Sequence, residues 1–207
     1  LLAKLSKQLG ALLVHYSTDY VFNGSGDAPW SEDQVVDPLS VYGSTKAGGE
    51  QAIQASGCEY LIFRTSWVFA SKGNNFAKTI LRLAADRDSL NVIADQVGSP
   101  TSAELIADIT AQVIPRSQKI KGVSGIYHLA ASGETSWYEY ACYVINLTRE
   151  MGRFLKVTEI NPIPTSEYPT VAVRPLNSRL NCDKLKNTFG LHLPDWKVGV
   201  NRMIQEI

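Results

Sequence analysis

The chain has 207 residues, of which 44% are hydrophobic and 19% are charged, a balance typical of globular proteins rather than of disordered or fibrous ones. Its 20 basic and 20 acidic residues cancel, which excludes a general electrostatic affinity for nucleic acid or for an anionic membrane. At this length a folded chain buries about 70% of its extended surface, so it can form a sizeable core without disulfides or structural metal ions.

The cysteines and the hydropathy pattern restrict the location of the protein. Cys58, Cys142 and Cys182 lie far apart and include no CxxC pair. This sparse, odd set argues against a disulfide framework and against a structural zinc site, so we expect a reducing cytoplasm. No stretch approaches the roughly 18 consecutive apolar residues of a transmembrane helix, and we expect no membrane partner.

The first half of the chain alternates predicted helices with predicted strands. Residues 1–9 carry leucines at helical spacing, and Gly10 follows as a stop signal. Residues 11–16 are a continuous apolar run, typical of a strand buried on both faces. Similar patterns predict helices at 41–56 and 76–87, strands at 59–64 and 90–93, and a long loop at 23–40. This alternation predicts crossover connections and a parallel sheet.

The second half has a less regular pattern. It predicts a helix at 103–114 that ends before Pro115, a strand at 125–130, and a helix at 136–151 that begins at a serine cap. A proline-rich loop is predicted at 161–175, followed by two short helices at 183–189 and 196–205.

The spacing of Tyr42 and Lys46 is the first sign of chemistry. They are four residues apart on a predicted helix and therefore share one face. An ammonium beside a phenol favours the phenolate, and such a phenol can exchange a proton with a carbonyl or alcohol oxygen. About half a pair of this spacing is expected by chance, so the pair gains meaning only from its context.

Two predicted strands supply that context. They end in STDYVF (residues 17–22) and RTSWVF (residues 64–69), so each delivers a pair of hydroxyl groups and an aromatic residue. Because ligands of open α/β sheets bind beyond the carboxyl ends of the strands, we expect both hydroxyl pairs at one edge of the sheet. Turn formation is the alternative role of the first pair. The helix with the tyrosine–lysine pair lies between these strands in the chain.

These segments, in this order, resemble the extended short-chain dehydrogenase/reductase superfamily. Within it, four further segments resemble the dTDP-4-dehydrorhamnose reductase family: ADQVGSPT (residues 94–101), GIYHL (residues 125–129), GETSWYE (residues 133–139) and RPLNS (residues 174–178). The resemblance implies an α/β fold with a doubly wound, Rossmann-like parallel sheet and a smaller α/β substrate-binding lobe. We expect residues 1–94 to belong to the Rossmann domain and residues 95–207 mainly to the lobe, with some segments returning to the sheet.

The resemblance also implies a reaction. Such enzymes reduce the C4 ketone of dTDP-4-dehydro-L-rhamnose to dTDP-L-rhamnose with NADPH or NADH, for bacterial surface polysaccharide. The expected partner is therefore a dTDP-sugar. The full-length protein is expected to be a homodimer. A magnesium ion is sometimes associated with this family, but the scattered glutamates of the sequence single out no site for it.

The family's functional positions can be matched to residues of this chain. Tyr42 matches the proton donor, Lys46 the residue that assists it and binds the nicotinamide ribose, and Thr18 the residue that holds the substrate carbonyl. The other matched positions are Tyr16, beside the cofactor, and Asp19 and Trp67, in the sugar pocket.

A glycine-rich turn of the GxGxxG or GxxGxxG type, which lets the backbone approach a dinucleotide pyrophosphate, is missing from the sequence. The chain also begins without methionine, at a residue that already continues a helical pattern. We therefore expect this to be a carboxy-terminal fragment that lacks the N-terminal βαβ units, roughly 90 residues. We expect the fragment alone to be inactive.

Several assignments stay open at this point. A related nucleotide-sugar epimerase or dehydratase is one alternative, and a non-catalytic, cofactor-binding regulatory subunit of the same fold is another. Either Arg64 or Arg174 is a candidate ligand for the diphosphate, because a guanidinium pairs well with phosphate. His15 and His128 lie within predicted strands and are expected to be packed, hydrogen-bonded side chains.

Overall fold

A computed structural model describes residues 1–168 and 173–207 of the chain. The helices in this part are α1 (Leu2–Leu9), α2 (Val41–Ser56), α3 (Phe76–Asp86), α4 (Ala103–Ser117), α5 (Trp137–Glu150), α6 (Asp183–Phe189) and α7 (Trp196–Glu206). The strands are β1 (Leu13–Thr18), β2 (Tyr60–Thr65), β3 (Val68–Phe69), β4 (Ser89–Ile93), β5 (Val97–Gly98), β6 (Thr101–Ser102), β7 (Gly125–His128), β8 (Thr135–Ser136) and β9 (Glu159–Ile163).

The central sheet is parallel, with strand order β1-β2-β7. Alternate residues of β2 face opposite layers: Leu61 and Phe63 pack with α4 and α6, whereas Ile62 packs with Ile53 of α2. Helices therefore cover both faces of the sheet, as burial of a parallel sheet requires. This confirms the α/β class and the doubly wound, Rossmann-like arrangement.

A second layer surrounds the short parallel pair β4–β9. Leu90 and Val92 of β4 pack into an apolar cluster with α3 and α5, and α7 packs on α5 in the neighbouring cluster. The strand predicted at residues 90–93 thus lies outside the central sheet, because its apolar residues are buried against α3 and α5. No helix within the described residues has the length and apolar character needed to cross a membrane.

Three predicted features differ from the structure. Strand β1 is not buried on both faces: its first three residues are only half-buried and Tyr16 is 41% exposed, and β1 lies at the edge of the central sheet among the described strands. Helix α4 continues through Pro115, which lies in its last turn and so interrupts few hydrogen bonds. The loop predicted at 161–175 begins inside β9, and residues 169–172 of that prediction lie outside the described residues.

Candidate active site

The carboxyl ends of β1 and β2 lie side by side. Thr18 is in register with Thr65, and Ser17 is in register with Arg64, so both hydroxyl pairs meet at one edge, as predicted. The hydroxyl groups of Ser17, Thr65 and Ser66 are buried and have no hydrogen-bond partner in the described part of the chain. Unpartnered buried hydroxyls are rare in folded proteins, and at a strand edge they are available to a ligand.

Thr18 organises the turn that follows β1. Its Oγ1 accepts a hydrogen bond from the backbone N–H of Tyr20 (3.2 Å) and donates one to Asp19 Oδ1 (3.1 Å). The other carboxylate oxygen of Asp19 has no partner within the described residues. Burial raises the pKa of Asp19 to about 6, against the opposing effect of the nearby Ser178 and Thr18 hydroxyl groups.

Helix α2 begins directly against this turn. The side chain of Ser40 caps the helix by accepting a hydrogen bond from the Gly43 N–H (3.1 Å). Gly43 has no room for a side chain, since a Cβ there would lie 2.1 Å from the Tyr20 carbonyl oxygen. The Tyr42 ring meets the Tyr20 ring edge-on, with centroids 5.7 Å apart. Tyr42 is 54% exposed, so its phenol is accessible to a substrate.

Lys46 lies one turn after Tyr42, on the same face of α2. Its Nζ donates a hydrogen bond to the carbonyl oxygen of Tyr16 (2.5 Å), near the end of β1. The Tyr16 side chain is engaged elsewhere, because its hydroxyl is hydrogen-bonded to Thr110 Oγ1 of α4 (2.8 Å). The contact between Lys46 and Tyr16 is thus made by the Tyr16 backbone.

Trp67 follows β2 in a strained backbone conformation. Among the described residues, Trp67 is the one non-glycine residue with a positive φ, 47°. Its ring stacks on Trp137, with centroids 3.5 Å apart and planes within 11°. A Cβ on Gly98 would lie 2.8 Å from the Trp67 ring, so the small residue lets the ring fit. These contacts hold the indole at the end of β2.

Arg64 does not extend toward an open site. It is 2% exposed, and its guanidinium makes two hydrogen bonds to Glu50 of α2. This pairing argues against Arg64 as a diphosphate ligand, and its remaining nitrogen, Nη1, is buried without a hydrogen-bond partner among the described residues. The exposed Arg174 lies close enough to Tyr20 to act on its phenol: burial raises the pKa of Tyr20, Asp19 raises it further, and the Arg174 charge opposes both.

His128 and His15 differ in their hydrogen bonding. His128 is fully buried, its Nδ1 is hydrogen-bonded to the Trp30 carbonyl oxygen (3.0 Å), and burial lowers its pKa to about 3, as expected for a packed side chain. The hydrogen bond expected for His15 is not found among the described residues, where its buried Nε2 has no partner. The side chain faces α2 at Gly49, which offers it no polar group.

Sequence reasoning missed Tyr20 and Glu50. Tyr20 supports Tyr42 through the ring contact, and its place in the STDYVF segment was the available signal. Glu50 continues the four-residue spacing of Tyr42 and Lys46 along α2, which places all three on one face. Over the described residues, no group of three or more histidine, cysteine or acidic side chains could hold a metal ion, so the magnesium expectation gains no support.

Comparison with known proteins relates this site to a family. The family model described as "RmlD substrate binding domain" matches residues 1–207. The dTDP-4-dehydrorhamnose reductase of Escherichia coli (strain K12) is 54% identical over 206 residues, which cover 100% of this chain and 69% of the E. coli protein. That of Burkholderia thailandensis is 42% identical over 212 residues, which cover 100% of this chain and 71% of the relative.

Solved structures agree with this relationship. The dTDP-4-dehydrorhamnose reductase of Bacillus anthracis, crystallised in complex with NADP, matches with a TM-score of 0.88 and 34% identity. The match covers 99% of this chain and 69% of that one. The family model and the identity to these enzymes show that the chain belongs to the dTDP-4-dehydrorhamnose reductase family.

Proposed function

We propose that this chain carries the proton-transfer and sugar-binding residues with which a dTDP-4-dehydrorhamnose reductase converts dTDP-4-dehydro-L-rhamnose into dTDP-L-rhamnose. Family membership supports a reductase role in dTDP-rhamnose biosynthesis, and it does not favour the epimerase, dehydratase or regulatory-subunit alternatives. The residue assignment rests on one observation. Tyr42 and Lys46 lie on the face of α2 that meets the end of β1, where Thr18 lies.

The residues at this edge fit a nicotinamide cofactor. A bound NADPH or NADH supplies the hydride of the reaction, and the similar Bacillus anthracis structure contains NADP. Tyr16 and Lys46 would hold the nicotinamide end, together with Tyr42, which is exposed there. The unpartnered hydroxyls of the two strand ends would supply further hydrogen bonds to ligands.

The reduction builds negative charge on the C4 oxygen of the sugar, and three side chains are placed to meet it. The Thr18 hydroxyl can turn from Asp19 to the C4 oxygen and donate a hydrogen bond to it. Tyr42 transfers its phenolic proton to that oxygen, which completes the new hydroxyl group. The Lys46 ammonium stabilises the phenolate that remains.

The remaining assignments concern the substrate. We propose that the unpartnered carboxylate oxygen of Asp19 accepts a hydrogen bond from a sugar hydroxyl, and that Trp67, held by Trp137, lines the sugar pocket. Arg174 is the better candidate for the diphosphate, because Arg64 is already paired with Glu50.

Replacement of Tyr42 by phenylalanine tests the proton-donor role. In the full-length enzyme we expect kcat for reduction of dTDP-4-dehydro-L-rhamnose to fall by about 10²–10⁴-fold, because the C4 oxygen loses its acid. Substrate affinity, measured by calorimetry, should stay within a few-fold of wild type, since the ring is retained. Tyr60→Phe, at the opposite end of β2, is the matched control and should keep kcat. A Tyr42→Phe enzyme with wild-type kcat would refute the role.

Three broader expectations also remain proposals. We propose that residues 1–94 belong to the nucleotide-binding domain and residues 95–207 mainly to the substrate lobe, a division that the return of β7 to the central sheet supports. We also propose a cytoplasmic location and a homodimeric full-length enzyme, as the resemblance to the family implies.

A further inference from the structure

A buried ion pair ties helix α2 to strand β2. Glu50 and Arg64 are each 2% exposed. Arg64 Nε donates to Glu50 Oε1 (2.9 Å), and Arg64 Nη2 donates to Glu50 Oε2 (2.6 Å), so one guanidinium occupies both carboxylate oxygens. Buried pairs of this kind often stabilise a fold no better than apolar residues of the same volume. Its presence therefore calls for an explanation other than stability.

Glu50 lies on the same face of α2 as the two proposed catalytic residues. Tyr42, Lys46 and Glu50 follow one another at intervals of four residues, so each lies one turn beyond the last. Both charged groups act on the imidazole of His15 in β1. Burial has the largest effect and lowers the pKa of His15, the Lys46 charge lowers it further, and the Glu50 charge raises it. Because Lys46 and Glu50 are one helical turn apart on α2, an unengaged Glu50 carboxylate would be within reach of the Lys46 ammonium.

We propose that Arg64 is a positioning residue for the reduction: by occupying both oxygens of Glu50, it prevents that carboxylate from pairing with Lys46. The Lys46 ammonium then remains at the Tyr16 carbonyl oxygen, on the Tyr42 side of the helix. The inference rests on the function proposed above for Tyr42 and Lys46.

The groups packed around α2 support the positioning role proposed for Arg64. Neighbouring elements bring several titratable or charged groups close to α2 or its ends, among them Lys4, Lys7, His15, Asp19, Tyr20, Glu32, Asp33, Tyr60, Arg64, Arg174 and Lys184. Within the described residues, Glu50 receives its side-chain hydrogen bonds from Arg64 alone. Arg64 is also in register with Ser17, which places its backbone beside the end of β1. A single residue thereby links Glu50 to the edge of the sheet where the hydroxyl groups lie.

The test replaces Arg64 by methionine in the full-length enzyme. We expect Glu50 to capture Lys46, so kcat for dTDP-4-dehydro-L-rhamnose should fall about tenfold or more, with KM changed by less than about threefold. The pH dependence of kcat should change as well, because the Lys46 ammonium no longer lies beside Tyr42. A purely structural role would lower the free energy of unfolding and leave the pH–rate profile of the folded enzyme in place.

A double variant and a conservative variant make the test decisive. Arg64→Met combined with Glu50→Gln leaves no carboxylate to capture Lys46, so kcat and the pH–rate profile should return toward wild type. Arg64→Lys keeps the charge but loses the two-point contact, so it should give an intermediate shift even if Arg64→Met does not fold. An unmoved profile in the folded single variant, or a loss that the double variant fails to restore, overturns the positioning role. A wild-type enzyme that does not reduce the dTDP-sugar would instead overturn the proposed function.

Discussion

At the scale of single residues, Gly43 decides how closely the tyrosine approaches the end of β1. A Cβ at this position would lie 2.1 Å from the Tyr20 carbonyl oxygen and 2.9 Å from the Pro38 side chain. Gly43→Ala must therefore push the first turn of α2 away from the turn after β1. We expect a loss of about 1–3 kcal/mol in the free energy of unfolding, together with a lower kcat, because Tyr42 moves with that turn.

Gly48 provides a matched control on the same helix. A Cβ at Gly48 would have no atom within 4 Å, so Gly48→Ala should stabilise the protein by up to about 1 kcal/mol through helix propensity alone. Urea unfolding of both variants, followed by circular dichroism, separates the two effects. If Gly43→Ala stabilised the protein as Gly48→Ala does, the close approach would have no energetic consequence.

Local spacing in the sequence indicated where the candidate residues lie, whereas their proposed roles came from the family resemblance. The four-residue interval of Tyr42 and Lys46 and the hydroxyls after the first strand depend on helix and strand periodicity, which the sequence displays directly. The pairing of Arg64 with Glu50 depends on how α2 packs against β2, which no local pattern encodes. The positive φ of Trp67 likewise depends on its contacts with Trp137 and Gly98.

At the scale of elements, the start of helix α5 combines two reciprocal hydrogen bonds. Ser136 Oγ accepts from the Glu139 N–H (3.1 Å), and Glu139 Oε2 accepts from the Ser136 N–H (2.9 Å). This capping box joins strand β8 to the helix that packs against α3 and α7. Ser136→Ala should therefore lower the free energy of unfolding by about 1 kcal/mol.

The control for this prediction is Glu139→Gln, since a glutamine oxygen can accept the same backbone hydrogen bond. Its free energy of unfolding, measured by urea titration, should stay within about 0.5 kcal/mol of wild type. A Ser136→Ala variant as stable as Glu139→Gln would show that the cap contributes nothing to the stability of α5.

The helices were predicted more accurately than the short strands. Helices α2 and α6 have the predicted bounds: Ser40 and Gly57 mark the two ends of α2, and Gly190 marks the end of α6. The two-residue strands β3, β5, β6 and β8 were not predicted. Their pairing depends on distant partners, and two residues are too few to show an alternating pattern. Strand β9 was missed because Pro162, which lacks an N–H donor, argued against a strand.

At the scale of the whole molecule, two buried groups give the stability opposite dependences on pH. Burial lowers the pKa of His128 from 6.5 to about 3, so the folded state binds fewer protons than the unfolded chain in that range. Stability from His128 therefore rises with pH between these values. Burial raises the pKa of Asp19 from 3.8 to about 6, so the folded state binds more protons there, and stability falls as pH rises.

The two effects overlap between about pH 4 and pH 6 and should cancel there, because each group contributes a slope of about 1.4 kcal/mol per pH unit with opposite sign. In the Asp19→Asn variant, only the His128 contribution to the pH dependence remains. Its free energy of unfolding should therefore rise with pH across this window by roughly 3 kcal/mol relative to wild type. His128→Gln should leave the Asp19 slope and show the reverse trend. Urea unfolding at several pH values, expressed as the difference from wild type, removes the contribution of the surface carboxylates. Parallel pH dependences for wild type and both variants would contradict the cancellation, because neither buried group would then change its proton binding on folding.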